Sequence, residues 1–91
     1  MMNEKQKEAL LILQEECAEV TQAISKIFRF GIDNHKPDQD KTNRQHLEEE
    51  LGDLQCMINL LIDSGMVSEN NIMKAEIKKH AKLEKWSTVT H

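Results

Sequence analysis

Apolar residues recur three or four positions apart along most of this chain, which is the spacing of one face of an α-helix. The pattern predicts helix 1 over about residues 3–30 and helix 2 over about residues 43–63. A shorter stretch predicts helix 3 over about residues 69–85. The polar segment of about residues 31–42, which holds the only proline, predicts a loop. We therefore expect residues 1–91 to form a single all-α domain.

Local signals mark the ends of these helices. Asn3 and Gln6 have the spacing of a capping box, and Gly31 is suited to the residue that ends helix 1. Ser68 is a favourable N-cap for helix 3. The loop is long for a helical bundle, so it either folds over a ligand or is simply mobile, and the sequence leaves both alternatives open.

The composition limits the fold and the partners. Only 3% of residues are aromatic, which disfavours a β-sandwich or barrel, and 38% are hydrophobic, which suits a folded helical protein. At 91 residues the core of one chain is thin, so self-association is expected. The net charge of −4 disfavours a nucleic-acid polymer as partner, although free nucleotides remain possible with metal.

The cysteines and the N-terminus indicate the compartment. Cys17 and Cys56 fall within apolar helical patterns and lack metal-type spacing, so buried thiols are predicted. The first residues lack the apolar core of a signal peptide, and no apolar run is long enough to cross a bilayer. A soluble cytoplasmic protein without a membrane partner is expected.

Acidic residues interrupt the apolar faces of both long helices. The face predicted for helix 1 comprises Leu10, Leu13, Cys17, Val20, Ile24 and Ile27, widened by Ile12 and Ala23. Glu16 falls within this arc, and Glu19 lies beside it one turn later. In helix 2, Glu50 points into the face formed by Leu47, Leu51, Leu54, Met57, Ile58 and Leu61, and Asp53 flanks it. Antiparallel packing of the two helices would bring the four carboxylates together.

Carboxylates in an apolar interface must be protonated, paired or bound to cations. Lys and Arg are scarce on both acidic faces, so a metal is the simplest compensation. A site of oxygen ligands alone suits Mg²⁺ or Mn²⁺ and disfavours zinc, copper and a di-iron centre. The alternative is that each Glu is a solvated helix residue, with Glu48 to Glu50 favoured at a helix N-terminus by the dipole.

Two short motifs resemble those of a known family. Glu15–Glu19 (EECAE) and Glu50–Asp53 (ELGD) resemble the E-E-x-x-E and E-x-x-D motifs of the MazG-like all-α nucleotide pyrophosphohydrolases. The resemblance covers about Leu10–Ile62. The segment Lys82–Ser87 is similar to the endings of short, often phage-encoded, members, which would place the protein in the host cytoplasm.

The resemblance implies a fold, a site and an activity. The fold is two long antiparallel helices plus a third C-terminal helix, with a four-helix core completed by association into a homodimer or homotetramer. Glu16, Glu19, Glu50 and Asp53 would bind Mg²⁺, with Mn²⁺ as a possible substitute, and Glu15 would assist as a ligand or orient the attacking water. The reaction is hydrolysis of a nucleoside triphosphate to monophosphate and pyrophosphate, with dNTPs favoured for short members.

Further residues are candidates for substrate contacts. Lys26, Arg29, Lys82 and Lys85 are available for phosphate oxygens, and an ordinary role of the last two at a helix C-terminus is an equal alternative. Trp86 is a candidate for stacking on the base, or for packing against a helix. None of the four histidines is assigned to catalysis. The rival functions are a non-catalytic helical interaction module and a protein that binds nucleotides without turnover.

Overall fold

The computed structural model describes residues 1–90, which form three α-helices and no β-strand. Helix α1 is Glu4–Phe30, α2 is Asn43–Asp63 and α3 is Glu69–Trp86. The prediction of an all-α chain with two long helices and a third C-terminal helix is confirmed. The chain divides into an N-terminal unit, Met1–Leu61, and a C-terminal unit that begins at Ile62.

Local sequence sets the ends of α1. The Asn3 side chain accepts a hydrogen bond from the Gln6 backbone N–H at 2.8 Å, and the Gln6 side chain accepts one from the Asn3 N–H at 2.9 Å. The predicted capping box is therefore present. At the other end Gly31 has a φ of 95° and donates its N–H to the Ile27 carbonyl at 2.8 Å. A residue with a side chain is strained at this φ, so glycine ends the helix at little cost.

The segment after α1 is tied back to the start of α2. The backbone N–H groups of Asn43 and Arg44 donate to the carbonyls of Asn34 and Ile32, each at 2.8 Å. The Asn43 side chain, which is buried, donates to the Gly31 carbonyl at 2.8 Å. These bonds fix the chain reversal and hold α1 and α2 antiparallel.

Two exposed ion pairs also connect this segment to α2. Asp33 pairs with Arg44 at 3.0 Å, and Lys41 pairs with Glu49. Ion pairs of this exposure typically contribute little stability. We therefore attribute the conformation of the segment mainly to its backbone hydrogen bonds.

The core of the N-terminal unit is thin. Within residues 1–90 the only buried hydrophobic residues are Ala23, Met57 and Leu61. The prediction that Cys17 and Cys56 are buried thiols is wrong for the single chain, because both are exposed. A helix hairpin covers only a narrow strip of each helix, so the outer edge of the predicted apolar face of α1 remains in contact with solvent.

The side of the two long helices that the hairpin contact leaves partly or fully exposed forms one surface, which we call the apolar face. It consists of Leu10, Cys17, Ile24 and Phe28 of α1 with Leu47, Leu51, Leu54 and Ile58 of α2. Ile24 is 41% exposed, Phe28 85% and Leu51 46%. On helical wheels of about 100° per residue, both rows lie on the same side of the antiparallel hairpin, whereas Glu19 and Asp53 lie on the other side.

The C-terminal unit contains α3, whose N-cap is the predicted Ser68. Its side chain accepts a hydrogen bond from the Asn71 N–H at 3.2 Å. No residue of α3 is buried, and Ile72, Met73 and Ile77 are exposed. No helix of residues 1–90 combines the length and the apolarity needed to cross a membrane.

Candidate metal centre

The antiparallel hairpin brings three of the predicted ligands together. Glu16 of α1 and Glu50 and Asp53 of α2 each offer a carboxylate oxygen, and these three oxygens lie within 4.8 Å of one another. Glu16 and Glu50 are partly buried, whereas Asp53 is exposed. The acid that interrupts the apolar arc of α1 thus faces the acid that interrupts the arc of α2.

The electrostatics of this cluster are unfavourable without a cation. Partial burial, followed by the negative charges of Asp53, Glu50, Glu19 and Glu15, raises the pKa of Glu16 above its ordinary value. Among residues 1–90, no Lys, Arg or His forms an ion pair with Glu16, Glu50 or Asp53. None of these three carboxylates therefore has a basic group within ion-pair distance.

The donor set fits a small divalent cation. The three ligand atoms are carboxylate oxygens, which Mg²⁺, Mn²⁺ and Ca²⁺ prefer. In an octahedral Mg²⁺ site with metal–oxygen distances of about 2.1 Å, adjacent ligand oxygens lie about 3.0 Å apart, so the three carboxylates must approach one another by side-chain rotation to share one ion. Three protein ligands also leave room for water and phosphate oxygens.

The other two predicted acids lie at the edge of the cluster. Glu15 and Glu19 are exposed and are not part of the close trio, although both charges act on Glu16. Glu19 lines a small cavity of about 30 Å³ together with Glu50. Of the four proposed ligands, the structure therefore brings together three and places Glu19 next to them.

His46 is a residue that the sequence reasoning missed. It lines the same small cavity as Glu19 and Glu50, and its Nε2 lies 3.1 Å from the Gln39 side-chain oxygen. The signal was available, because His46 precedes Glu50 by four residues and so lies on the same face of α2.

The predicted phosphate-binding residues divide into two groups. Lys26 lines the small cavity beside Glu19 and Glu50. Arg29 instead places its guanidinium 5.0 Å from the centre of the Phe30 ring. Lys82, Lys85 and Trp86 belong to the C-terminal unit, where the Lys85 ammonium lies 5.2 Å from the exposed Trp86 ring. Lys26 is therefore the basic residue that the N-terminal unit places at the carboxylates.

The fold and the site define an all-α protein with facing acidic helices that suit a divalent cation. The chain belongs to the MazG nucleotide pyrophosphohydrolase domain family, because the model of that family matches residues 4–86. No curated protein and no solved structure matches the chain. Family membership confirms the resemblance seen in the motifs and indicates, in general terms, a nucleotide pyrophosphohydrolase of a typically metal-dependent class.

The raised pKa of Glu16 predicts a pH-dependent effect of the Glu16→Gln substitution on stability. Because the folded protein binds this proton more tightly than the unfolded chain, ionisation of Glu16 destabilises the fold as pH rises through the raised pKa. In chelator we expect the variant to be more stable than wild type at about pH 8 and to lose this advantage at about pH 4. Urea unfolding at both pH values measures the difference.

The lowered pKa values of Asp33 and Glu49, held down by Arg44 and Lys41, act in the opposite direction, because their stabilisation is lost as pH falls. Both ion pairs are present in wild type and in Glu16→Gln, so their contributions to the free energy of unfolding cancel in the comparison. A stability difference that does not change with pH would contradict the electrostatic origin.

Proposed function

We propose that the protein is a Mg²⁺-dependent nucleoside triphosphate pyrophosphohydrolase. It converts a nucleoside triphosphate and water into a nucleoside monophosphate and pyrophosphate. The observation that carries the proposal is the approach of the Glu16, Glu50 and Asp53 carboxylates to within 4.8 Å in a chain of this family. A purely structural helix pair gains nothing from facing acids without a basic partner.

In this proposal Glu16, Glu50 and Asp53 hold the metal, and Glu19 completes the ligand set from the edge of the cluster. When bound, a divalent cation lowers the pKa of a coordinated water and offsets charge on the phosphates. Mn²⁺ has the same ligand preference and is expected to substitute for Mg²⁺. Glu15 either assists as a ligand or orients the attacking water.

Side chains of the protein position the substrate and accept a proton. Lys26, which lines the small cavity with Glu19 and Glu50, binds phosphate oxygens and holds the triphosphate in line. A carboxylate of the cluster accepts the proton of the attacking water as its oxygen bonds to the α-phosphorus. The bond from that phosphorus to the bridging oxygen breaks, and pyrophosphate leaves with the electron pair. No covalent intermediate with the protein is needed.

The substrate is proposed to be a dNTP, on the resemblance of the chain's ending to short members of the family. The two free cysteines suit a reducing compartment, and we propose the cytoplasm, where nucleotide pools are found. Comparison of dNTPs with NTPs tests the sugar preference directly.

We also propose that two copies associate through the apolar face to complete a four-helix core, as a dimer or as half of a tetramer. With three buried hydrophobic residues in the described chain, one hairpin has little core of its own. Glu19 and Asp53 lie on the other side of the hairpin, so association through the apolar face leaves the edge of the carboxylate cluster open.

Pyrophosphate release from a panel of dNTPs and NTPs tests the activity. Wild-type protein is assayed with Mg²⁺, with Mn²⁺ and with chelator. We expect pyrophosphate release with either metal and none with chelator. At least one dNTP should be hydrolysed faster than the corresponding NTP. Nucleotide binding without release would favour a binding protein, and neither binding nor release would favour an interaction module.

A further inference from the structure

A cavity that we call the turn cavity lies at the end of the hairpin where α1 turns back into α2. It has a volume of about 370 Å³, within the usual range for small-molecule sites. Phe30, which lines it, comes 14 residues after Glu16, or about 21 Å further along α1. A nucleotide with its α-phosphorus at Glu16 is too short to reach that far. An occupant of the turn cavity is therefore a second molecule and not part of the substrate.

The turn cavity combines apolar wall with positive charge. Phe30 and Pro37 supply apolar surface. Lys26 and Lys36 also line the cavity, and among residues 1–90 the ammonium of neither forms an ion pair or a hydrogen bond. The charge of two cations is therefore available to a ligand that packs against the apolar wall.

Nearby negative charge does not cancel these cations. The C-terminal end of α1 carries the partial negative charge of a helix dipole, and the N-terminal end of α2 carries a partial positive charge at the same end of the hairpin. The two contributions oppose each other. Of residues 1–90, no acidic residue lines the cavity, and Asp33 in the same segment is paired with Arg44. The lining therefore favours an anion.

Two asparagines of the lining add hydrogen-bond donors. The Asn34 side-chain amide donates one N–H to the Phe30 carbonyl, and the Asn43 side-chain amide donates one to the Gly31 carbonyl. Each amide nitrogen carries a second N–H, for which no acceptor is found within residues 1–90. The bonds that are made hold both amides in place, so these donors are preformed for a ligand's oxygen atoms.

The cavity suits an organic anion better than a bare inorganic one. The first backbone N–H groups of α2, those of Asn43 and Arg44, already donate to loop carbonyls, so this helix N-terminus is not available to a phosphate. A hydrated ion also gains nothing from the apolar wall. An aromatic ring, in contrast, packs against Phe30 while an attached carboxylate lies at the lysines. Aromatic carboxylates therefore match both parts of the lining.

Lys26 connects the turn cavity to the candidate metal centre. It lines the turn cavity and also the small cavity that contains Glu19 and Glu50. One ammonium does not compensate an anion in the turn cavity and a phosphate at the carboxylates equally well at the same time. Occupation of the turn cavity therefore weakens the contribution of Lys26 to triphosphate binding.

We propose that the turn cavity binds a small aromatic carboxylate, with its ring against Phe30 and its charge at Lys26 and Lys36, and that this ligand inhibits by competing for Lys26. Binding in the cavity is independent of the proposed function, whereas the inhibition rests on it. The end of the hairpin is then a regulatory site separate from the carboxylates.

Two-dimensional NMR of the ¹⁵N-labelled full chain tests the binding, with benzoate as the probe. The backbone and side-chain amide signals of Asn34 and Asn43 report on the turn cavity. Benzamide keeps the ring without the charge, and acetate keeps the charge without the ring. We expect benzoate to shift these signals saturably, and we expect either control to bind at least about fivefold more weakly.

Three outcomes of the titration would overturn the proposal. Equal binding of benzamide would show that the charge is not recognised, and equal binding of acetate would show that the ring is not. Benzoate shifts at the apolar face, for example at Leu51, with none at Asn34 and Asn43 would place the ligand elsewhere.

Two lysine variants test the charge directly. Lys36→Gln removes one ammonium from the cavity, and Lys36 is exposed, so the variant is expected to fold. Lys41→Gln is the matched control, because Lys41 lies in the same segment but pairs with Glu49 and does not line the cavity. We expect Lys36→Gln to weaken benzoate binding by about two- to fivefold and Lys41→Gln to leave it unchanged. Equal weakening would indicate a general charge effect and contradict the site.

Pyrophosphate release tests the competition for Lys26. At matched ionic strength, benzoate that saturates the turn cavity should raise KM of wild type for the best dNTP by about two- to fivefold with kcat little changed, and benzamide should not. If wild type hydrolyses no nucleotide, the proposed function fails, while the NMR titration still decides whether the cavity binds the ligand. If wild type is active and KM is unchanged in benzoate, the competition for Lys26 is wrong.

Discussion

Substituting Glu16 by Gln is expected to lower kcat by at least about a hundredfold, because it removes the central carboxylate of the proposed metal centre. Glu16 is the acid on which the charges of Asp53, Glu50, Glu19 and Glu15 all act. A metal ion contributes several kcal/mol of transition-state stabilisation, and each 1.36 kcal/mol is about a tenfold change in rate. Pyrophosphate release at saturating Mg²⁺ measures the loss.

The matched control is Glu8→Gln, which removes an exposed carboxylate from the same helix two turns before Glu16. It should keep wild-type activity. Both variants should keep the helical circular dichroism of wild type, because neither change breaks a contact of the fold. An active Glu16→Gln protein would show that the cluster is not the metal centre, and an unfolded one would show a structural role.

The same substitution is expected to act in opposite directions on stability and activity. Removal of charge relieves repulsion in the metal-free protein, and it also removes a proposed ligand of the metal. Added Mg²⁺ should therefore stabilise wild type more than Glu16→Gln. A metal ligand should show both effects, higher stability without metal and weaker stabilisation by Mg²⁺. An acid that merely destabilises the fold should show only the first.

Features that depend on neighbouring residues in the sequence could be predicted. The Asn3 capping box, the Gly31 helix end and the Ser68 N-cap each involve groups within a few residues of one another, so their patterns are local. Glu16 and Glu50 could also be located, because an acid within an apolar arc is visible on a helical wheel.

Features that depend on how α1 packs against α2 could not be predicted from the sequence. The exposure of Cys17 follows from the narrow contact line of a hairpin, which apolar periodicity does not define. The bonds from Asn43 to the loop carbonyls use backbone acceptors that any sequence carries. His46 is an intermediate case, since its spacing from Glu50 was visible but no histidine was judged to have an acidic partner.

Leu51→Glu is expected to dissociate the protein, because Leu51 lies in the apolar face that we propose as the interface between copies. In a twofold interface each substitution occurs twice. Burial of one Leu contributes about 1.5 to 3 kcal/mol, so losing two contributes at least about 3 kcal/mol, and the dissociation constant should rise at least about a hundredfold. Sedimentation equilibrium over a range of concentrations measures it.

Leu60→Glu is the matched control, since it makes the same change in the same helix at a residue of similar exposure, 50% against 46% for Leu51. On the helical wheel Leu60 lies on the side of the hairpin away from the apolar face, so it should leave association unchanged. The two variants carry the same net charge, which removes general repulsion as an explanation. Equal weakening by both, or a wild-type protein that stays monomeric at every concentration, would contradict the proposed interface. A selective effect of Leu51→Glu would also explain why Cys17 and Ile24 are apolar although one chain leaves them exposed.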